Sequence, residues 1–286
     1  TNWWVFYQPV DFVINTEDGS ALGTKSEFES MCAKAEEYGI KVIVDVVANH
    51  LGNQTGNDLS SAIPSYLLKD AYWHDYTTNT TDYTNRYDIT QHCMAGLPDL
   101  NTANKELQGY VLDFLKECID AGADGFRFDA AKHIEPPEDD SSFASDFWPT
   151  VIGGAEAYAE EKGFDLYCYG ELLDAPGGDK LPISAYTKYM SITDNVWGNS
   201  LRGSIVGGSA SAITMGYYKA TSASQLVLWA ESHDTYANSD GGSTSISAAN
   251  INKTWALVAA RADAMGLYFA RPNSLSTTLL GAADVT

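Results

Sequence analysis

The chain has 286 residues, 44% of them apolar and 12% aromatic, enough to bury one large core or two smaller ones and too apolar for a disordered polymer. Lys and Arg number 17 against 38 Asp and Glu, a formal charge of −21, so phosphate backbones and anionic membranes are excluded as partners and a neutral ligand is expected. No apolar run reaches the roughly 18 residues of a membrane span, and the opening Thr1-Asn2-Trp3-Trp4 has neither a basic leader segment nor an initiating Met, so it reads as neither a signal peptide nor a native start.

The first clear element is a helix over 24–38. Thr24 and Glu27 have capping-box spacing, Phe28, Met31, Cys32 and Ala35 give an apolar face, and Gly39 stops it. Ile40 to Val47 then reads as a buried strand. Residues 48–100 break the rhythm: they are polar, rich in Asn, Thr, Asp and Tyr, and too long for an ordinary connection, so they read as an inserted subdomain. A helix follows over 104–121, with Leu107, Tyr110, Val111, Phe114, Leu115, Cys118 and Ile119 on one face. Gly122 ends it and Gly125 to Asp129 forms the next strand, with further strands expected at 166–170, 189–193, 225–230 and 266–270 and helices between them. This alternation predicts an α/β fold of parallel strands joined by crossover helices, as in an α/β barrel or a doubly wound sheet. The four cysteines, Cys32, Cys93, Cys118 and Cys168, are too scattered for a metal site or a dense disulfide framework, and Cys32 and Cys118 read as buried free thiols.

Four strand ends carry polar clusters where the apolar run stops: Asp45 to His50, Arg127 to His133, Glu171, and His233-Asp234. Any one of them is explained by a turn or a helix cap. Four together, each mixing carboxylates with His or Arg or standing alone as a Glu, point to the catalytic face of a barrel. Glycosidic hydrolysis needs one ionised carboxylate and one protonated carboxyl on either side of the bond. Arg127 lies two residues before Asp129, on the same side of the strand, and is expected to hold that carboxyl ionised with a depressed pKa. Glu171 has only Tyr169, Leu172 and Leu173 near it in sequence, so a raised pKa and a proton-donor role are expected. Asp234 would be the third acid. A glycine-rich phosphate loop with a Lys is lacking, which speaks against phosphoryl transfer.

Asp45-Val46-Val47-Ala48-Asn49-His50, Gly125-Phe126-Arg127-Phe128-Asp129-Ala130-Ala131-Lys132-His133, Tyr169-Gly170-Glu171 and Ser232-His233-Asp234 follow one another along the chain, with Trp3 to Val10 before them and Leu97-Pro98-Asp99-Leu100-Asn101 late in the insertion. With these segments the chain resembles the α-amylase family of retaining glycosidases, glycoside hydrolase family 13, whose fold is a (β/α)8 TIM barrel. The resemblance implies an α/β barrel built from 1–47 and 101–286, with an inserted domain B at 48–100 after the third strand. The family barrel has a strand and helix ahead of Trp3 and a last helix and β-domain beyond the present chain, so the barrel is expected to be incomplete at both ends.

The same resemblance implies Asp129 as nucleophile, Glu171 as general acid/base and Asp234 as transition-state stabiliser, with Arg127 orienting Asp129. His50, His133 and His233 would bond sugar hydroxyls, Lys132 would act on the leaving-group side, Trp3, Trp4 and Tyr7 would face glucose rings, and Gln8 would add a polar contact. A structural Ca²⁺ is implied, held by side-chain oxygens of Asn49 and Asp99 and the backbone carbonyl of His133. Ser232 stands where chloride-binding relatives have Asn, so chloride is not expected. The implied activity is endo-hydrolysis of α-1,4-glucans such as starch by a secreted monomer, with carboxyls about 5–5.5 Å apart. The alternatives are an exo-glucosidase or glucanotransferase of the same family, and a non-catalytic starch-binding protein.

Overall fold

The computed structural model describes residues 3–20, 22–173, 181–218, 221–237 and 242–271, without the side chain of Trp3. The chain divides into two compact units, a larger one of Tyr7–Glu171 and Ala175–Met190 and a smaller one of Thr1–Phe6, Leu172–Asp174 and Ser191–Thr286.

In the larger unit, α1 (Lys25–Glu37) starts at Thr24, whose hydroxyl accepts from the Glu27 N–H while the Glu27 carboxylate accepts from the Thr24 N–H. The expected capping box is formed, and Gly39 leaves the helix with a left-handed φ of +67°. The expected apolar face is covered in part: Cys32 is buried and Phe28 and Ala35 are half-buried, but Met31 is 50% exposed. Strand β1 (Ile43–Val46) is shorter than the sequence reading and is not a buried strand, since Ile43 is exposed. The reason is its place: among the described strands it is at the edge of its parallel sheet, paired on one side to β4 (Gly125–Phe128), which pairs in turn with β5 (Tyr167–Gly170).

Residues 48–100 lie within the larger unit and hold β2 (Asp75–Asn79), α2 (Arg86–Gln91) and β3 (His92–Cys93), the two strands forming a small parallel pair. Buried Arg86 ties this segment to the loop after β4. It forks onto Asp139 at 2.9 and 2.6 Å, and donates to the Lys132 carbonyl at 2.7 Å and to the Tyr186 hydroxyl at 3.0 Å. Helix α3 (Lys105–Asp120), capped by Asn104, buries Leu107, Val111, Leu115, Cys118 and Ile119 as the periodicity predicts. It packs on α4 (Phe147–Lys162), and the unit closes with the short α5 (Ser184–Thr187). Phe126, Phe128, Trp148 and Tyr186 form an aromatic core around β4, with Trp148 edge-to-face against both Phe128 and Tyr186. All four cysteines are free and buried.

The smaller unit repeats the plan. Strands β6 (Ser191–Thr193), β7 (Leu226–Trp229) and β8 (Met265–Leu267) are parallel and adjacent in that order. Between them run α6 (Asn195–Val206), capped by the Asp194 carboxylate on the Trp197 N–H, then α7 (His233–Ala237) and α8 (Ala248–Ala259), capped by Ser247. Strand β7 is wholly buried, and Gly198 of α6 lies against it so closely that a Cβ there would sit 2.2 Å from the Trp229 carbonyl oxygen.

Candidate active site

Parallel pairing sets the site. Asp45 of β1 is in register with Arg127 of β4, and Arg127 with Tyr169 of β5, so these three side chains share one row and one face. The ladder continues one residue beyond the strands: the Asp129 N–H donates to the Val46 carbonyl at 2.9 Å and the Glu171 N–H to the Phe128 carbonyl at 2.9 Å. By the two-residue period of a strand, Asp129 and Glu171 fall on the same face as Arg127 and Tyr169.

The Arg127 guanidinium joins three carboxylates. Its Nη1 donates to Asp45 Oδ1 and to Asp129 Oδ1, both at 2.7 Å, and its Nη2 lies 3.1 Å from Glu171 Oε2. The Tyr7 hydroxyl donates to the other oxygen of Asp45 at 2.7 Å, and the Tyr7 ring lies 5.7 Å from the guanidinium carbon. Burial and the neighbouring Asp45 charge push the Tyr7 hydroxyl well above its ordinary pKa, so it stays a donor. After Asp129 the chain turns sharply: Ala130 has a left-handed φ of +48°, uncommon for a residue with a Cβ, and its N–H points at Glu171 Oε2 at 3.2 Å. The Ala131 N–H donates to the Glu171 carbonyl, locking the two strand ends together. Gly170 makes room, since a Cβ there would lie 2.8 Å from Met190 Cε and 2.9 Å from Ala131 Cβ.

The electrostatics overturn one expectation. Asp129 is not held below the carboxylate range by Arg127 but pushed up to about 8, first by burial and then by the charge of Glu171, with Arg127 only partly offsetting both. The sequence places Arg127 next to Asp129, but only the strand register shows that Asp45 and Glu171 share that one cation. Three carboxylates around one guanidinium keep a proton into the neutral range. Glu171, which has no basic neighbour in sequence, has one in space.

The remaining expected residues divide. His50 is fully buried, its Nε2 donating to the Tyr7 carbonyl at 3.0 Å, and burial lowers its pKa to about 4. His133 is also buried, with Nδ1 donating to the Ile89 carbonyl at 2.8 Å, and burial lowers its pKa to about 3, so both rings are neutral. The Lys132 ammonium sits 5.2 Å from the Tyr83 ring. Gln8 is half-buried and its carbonyl lies 3.0 Å from where a Cβ on Gly52 would stand. In the smaller unit, Trp4 is 45% exposed, and the Trp3 side chain lies outside the described residues. His233 and Asp234 open α7 there, His233 Nε2 lying 3.6 Å from Asp234 Oδ2, and the Ser232 hydroxyl accepts from the Thr235 N–H at 3.4 Å.

Asn49 and Asp99 come together. Both are buried, and Asn49 Nδ2 lies 3.1 Å from Asp99 Oδ1. A half-turn of the amide would set its oxygen beside the carboxylate, the hard-oxygen pair that Ca²⁺ takes. Two neighbours were not visible as partners in the sequence: His74, whose Nδ1 is 2.7 Å from Asp99 Oδ2, and Glu135, whose Oε2 is buried without a hydrogen-bond partner. Burial raises Asp99 well above the carboxylate range and Glu135 to about 8, the behaviour of acids that lack a compensating charge. This donor set fits a hard divalent cation. Among the described residues no three His, Cys, Asp or Glu side chains form a metal cage by themselves, so amide and carbonyl oxygens would have to complete the shell.

Residues 19–161, half of the chain, match the sequence profile described as "Alpha amylase, catalytic domain". The chain belongs to the α-amylase family. It is 36% identical over 276 residues to an α-amylase of Clostridium acetobutylicum, covering 95% of this chain and 34% of that protein. It is 36% identical over 310 residues to an α-amylase of Butyrivibrio fibrisolvens, covering 98% of this chain and 31% of that protein. The chain thus spans about a third of the length of the relatives it matches. In structure it is similar to a variant of α-amylase I from Eisenia fetida in complex with maltohexaose, with a TM-score of 0.74 at 20% identity over 100% of this chain and 63% of that one. That likeness establishes the fold, an incomplete (β/α)8 barrel in which each unit holds three parallel strands among the described residues. As an α-amylase-family chain, it presents Asp45, Arg127, Asp129 and Glu171 from neighbouring barrel strands at their C-terminal ends, the end on which such barrels carry their chemistry.

Proposed function

We propose that this chain is the catalytic part of an endo-acting α-amylase, cleaving α-1,4 bonds of starch and related glucans with retention of configuration. The observation that carries the reading is the Arg127 guanidinium between Asp129 and Glu171: two nitrogens of one planar group hold both carboxyls, which suits the short separation of retaining chemistry, about 5–5.5 Å.

In the first step the Glu171 carboxyl gives its proton to the glycosidic oxygen as the C1–O bond breaks, and Asp129 attacks C1 to form a glucosyl ester. Arg127 occupies Asp129 Oδ1, so the attack is assigned to Oδ2. Arg127 and the Ala130 N–H both face Glu171 Oε2, so the mobile proton is assigned to Oε1. In the second step the Glu171 carboxylate takes a proton from water, the water oxygen attacks C1, and Asp129 leaves as a carboxylate. Asp234 would stabilise the positive charge that develops at C1. His50, His133, His233 and Lys132 would bond sugar hydroxyls, and Trp3, Trp4, Tyr7 and Gln8 would line the glucose subsites.

The maltohexaose bound by the Eisenia fetida relative supports an oligomeric α-glucan as the ligand. Residues 48–100 would form the family's inserted domain. A structural Ca²⁺ would be held by Asn49, Asp99 and the His133 carbonyl, fixing the segment around residue 49 to the loop after β4. The protein would act as a monomer, and a polymeric substrate suits an extracellular enzyme. Among the described residues no helix is long and apolar enough to cross a membrane. Release of reducing ends from soluble starch, measured beside Glu171→Gln, tests the reading: activity in the parent and its loss in the variant are expected, and equal release from both would overturn it.

A further inference from the structure

The fourth sequence motif leaves the residue before it without a role. Glu231 follows β7, is 3% exposed, and carries a charge that such burial penalises unless it is paired. Its partner is Arg271, just beyond β8. Arg271 Nε donates to Glu231 Oε2 at 2.8 Å and Nη2 to Oε1 at 2.7 Å, the forked geometry that only a guanidinium provides. The same side chain donates from Nη2 to the Ser243 carbonyl at 3.1 Å and from Nη1 to the Ile246 carbonyl at 2.9 Å, and its guanidinium carbon lies 4.7 Å from the centre of the Tyr236 ring.

Glu231 is three residues before Asp234 and Tyr236 two after it, so Arg271 grips both flanks of the segment that carries His233 and Asp234. Inside the grip the segment is bound to the loop that follows. The Ser243 N–H donates to the Thr235 carbonyl at 2.9 Å, the Ser243 and Thr235 hydroxyls are 3.0 Å apart, and Thr244 donates to the Tyr236 carbonyl at 2.8 Å. Helix α7 has five residues, too few to hold its own first turn in place. Rigidity at Asp234 must therefore come from outside the helix.

We propose that Arg271, acting through Glu231 and Tyr236, is the positioning residue that fixes Asp234 for the reaction, an inference that rests on the reading of Asp234 as the transition-state stabiliser. Arg271→Lys keeps the charge and removes the fork. A displacement of about 1 Å in a reacting group costs on the order of 10²-fold in rate, so Arg271→Lys in the full-length protein is expected to lower kcat on a maltooligosaccharide by about 10–100-fold, with KM changed less than about threefold. The decisive comparison is the same substitution made in an Asp234→Asn background, where the stabiliser is already lost and Arg271→Lys should cost less than about threefold more. Equal losses in both backgrounds, or no loss in the parent, would overturn the proposal. If Asp234→Asn alone leaves kcat unchanged, the assignment of Asp234 fails first, and the proposal with it. Should Arg271→Lys fail to fold, Glu231→Gln, which keeps an acceptor for Nη2, is measured in the same two backgrounds against the same criteria.

Discussion

Nη2 of Arg127 lies 3.1 Å from Oε2 of Glu171, although 44 positions separate the two residues in the chain. One cation thus serves the carboxyl proposed to move a proton as well as Asp129, the one proposed to attack. Lys cannot span both with a planar fork. Arg127→Lys is therefore expected to lower kcat/KM on maltooligosaccharides by about 10²–10³-fold, the scale of losing one preorganised donor. Steady-state kinetics beside a melting curve check this, and near-parental kinetics would show that the bridge has no catalytic part.

The pH profile follows from the same cluster. With Asp129 pushed up to about 8 by burial and the Glu171 charge, the site keeps one proton through the neutral range. The productive form holds one proton and one carboxylate, so kcat/KM should fall on the alkaline side with an apparent midpoint near pH 8. Removing the cation makes that proton harder to lose, so in Arg127→Ala the residual activity should have its alkaline limb shifted upward. A limb that moves down, or stays put, would contradict the electrostatic account.

Two glycines should respond in opposite directions. A Cβ on Gly125 would stand 2.2 Å from the Tyr167 carbonyl oxygen, inside the β4–β5 pairing, so Gly125→Ala should cost about 1–3 kcal/mol, the range for overpacking. Gly153, inside α4, has nothing within 4 Å of the same position, so Gly153→Ala should stabilise by about 0.5–1 kcal/mol. Denaturant unfolding of the two variants checks both signs.

If Asn49, Asp99 and the His133 carbonyl hold Ca²⁺, the cation should raise Tm. At a hundredfold excess over Kd the gain is about 2.7 kcal/mol. Asp99→Asn should abolish the dependence, and Glu135→Gln, which removes a buried carboxylate beside the same cluster, should leave less of it. Thermal scans with Ca²⁺ and with a chelator measure this, and a Tm that chelation does not move would exclude a structural cation at these residues.

Much of the plan was legible in the sequence. The alternation of strands with helices, the Thr24–Glu27 capping box and the buried face of the helix over 105–120 follow from local periodicity and capping chemistry, which a single sequence displays. The site motifs were legible because they lie at strand ends, where polar residues interrupt apolar runs. The upward shift of Asp129 was not: its sequence neighbour Arg127 predicts a lowered pKa, while burial and the charge of Glu171 on the next strand, neither visible in the local sequence, outweigh it. Met31 and Ile43 failed as core residues for a similar reason, since exposure depends on which strand or helix covers them and not on their own spacing. His74 and Glu135 gave no local signal, because Asp99, which His74 bonds and whose charge reaches Glu135, stands far from both in the sequence.

The central claim is a double displacement at Asp129 assisted by Glu171. Proton NMR of the products released from maltohexaose by the full-length protein tests it most directly, because the anomeric signals can be read before mutarotation. The account predicts α-anomers in the first spectra, with no product from Glu171→Gln. Initial β-anomers would mean single-step inversion with a water between the carboxyls, and would contradict the bridged geometry on which the account stands.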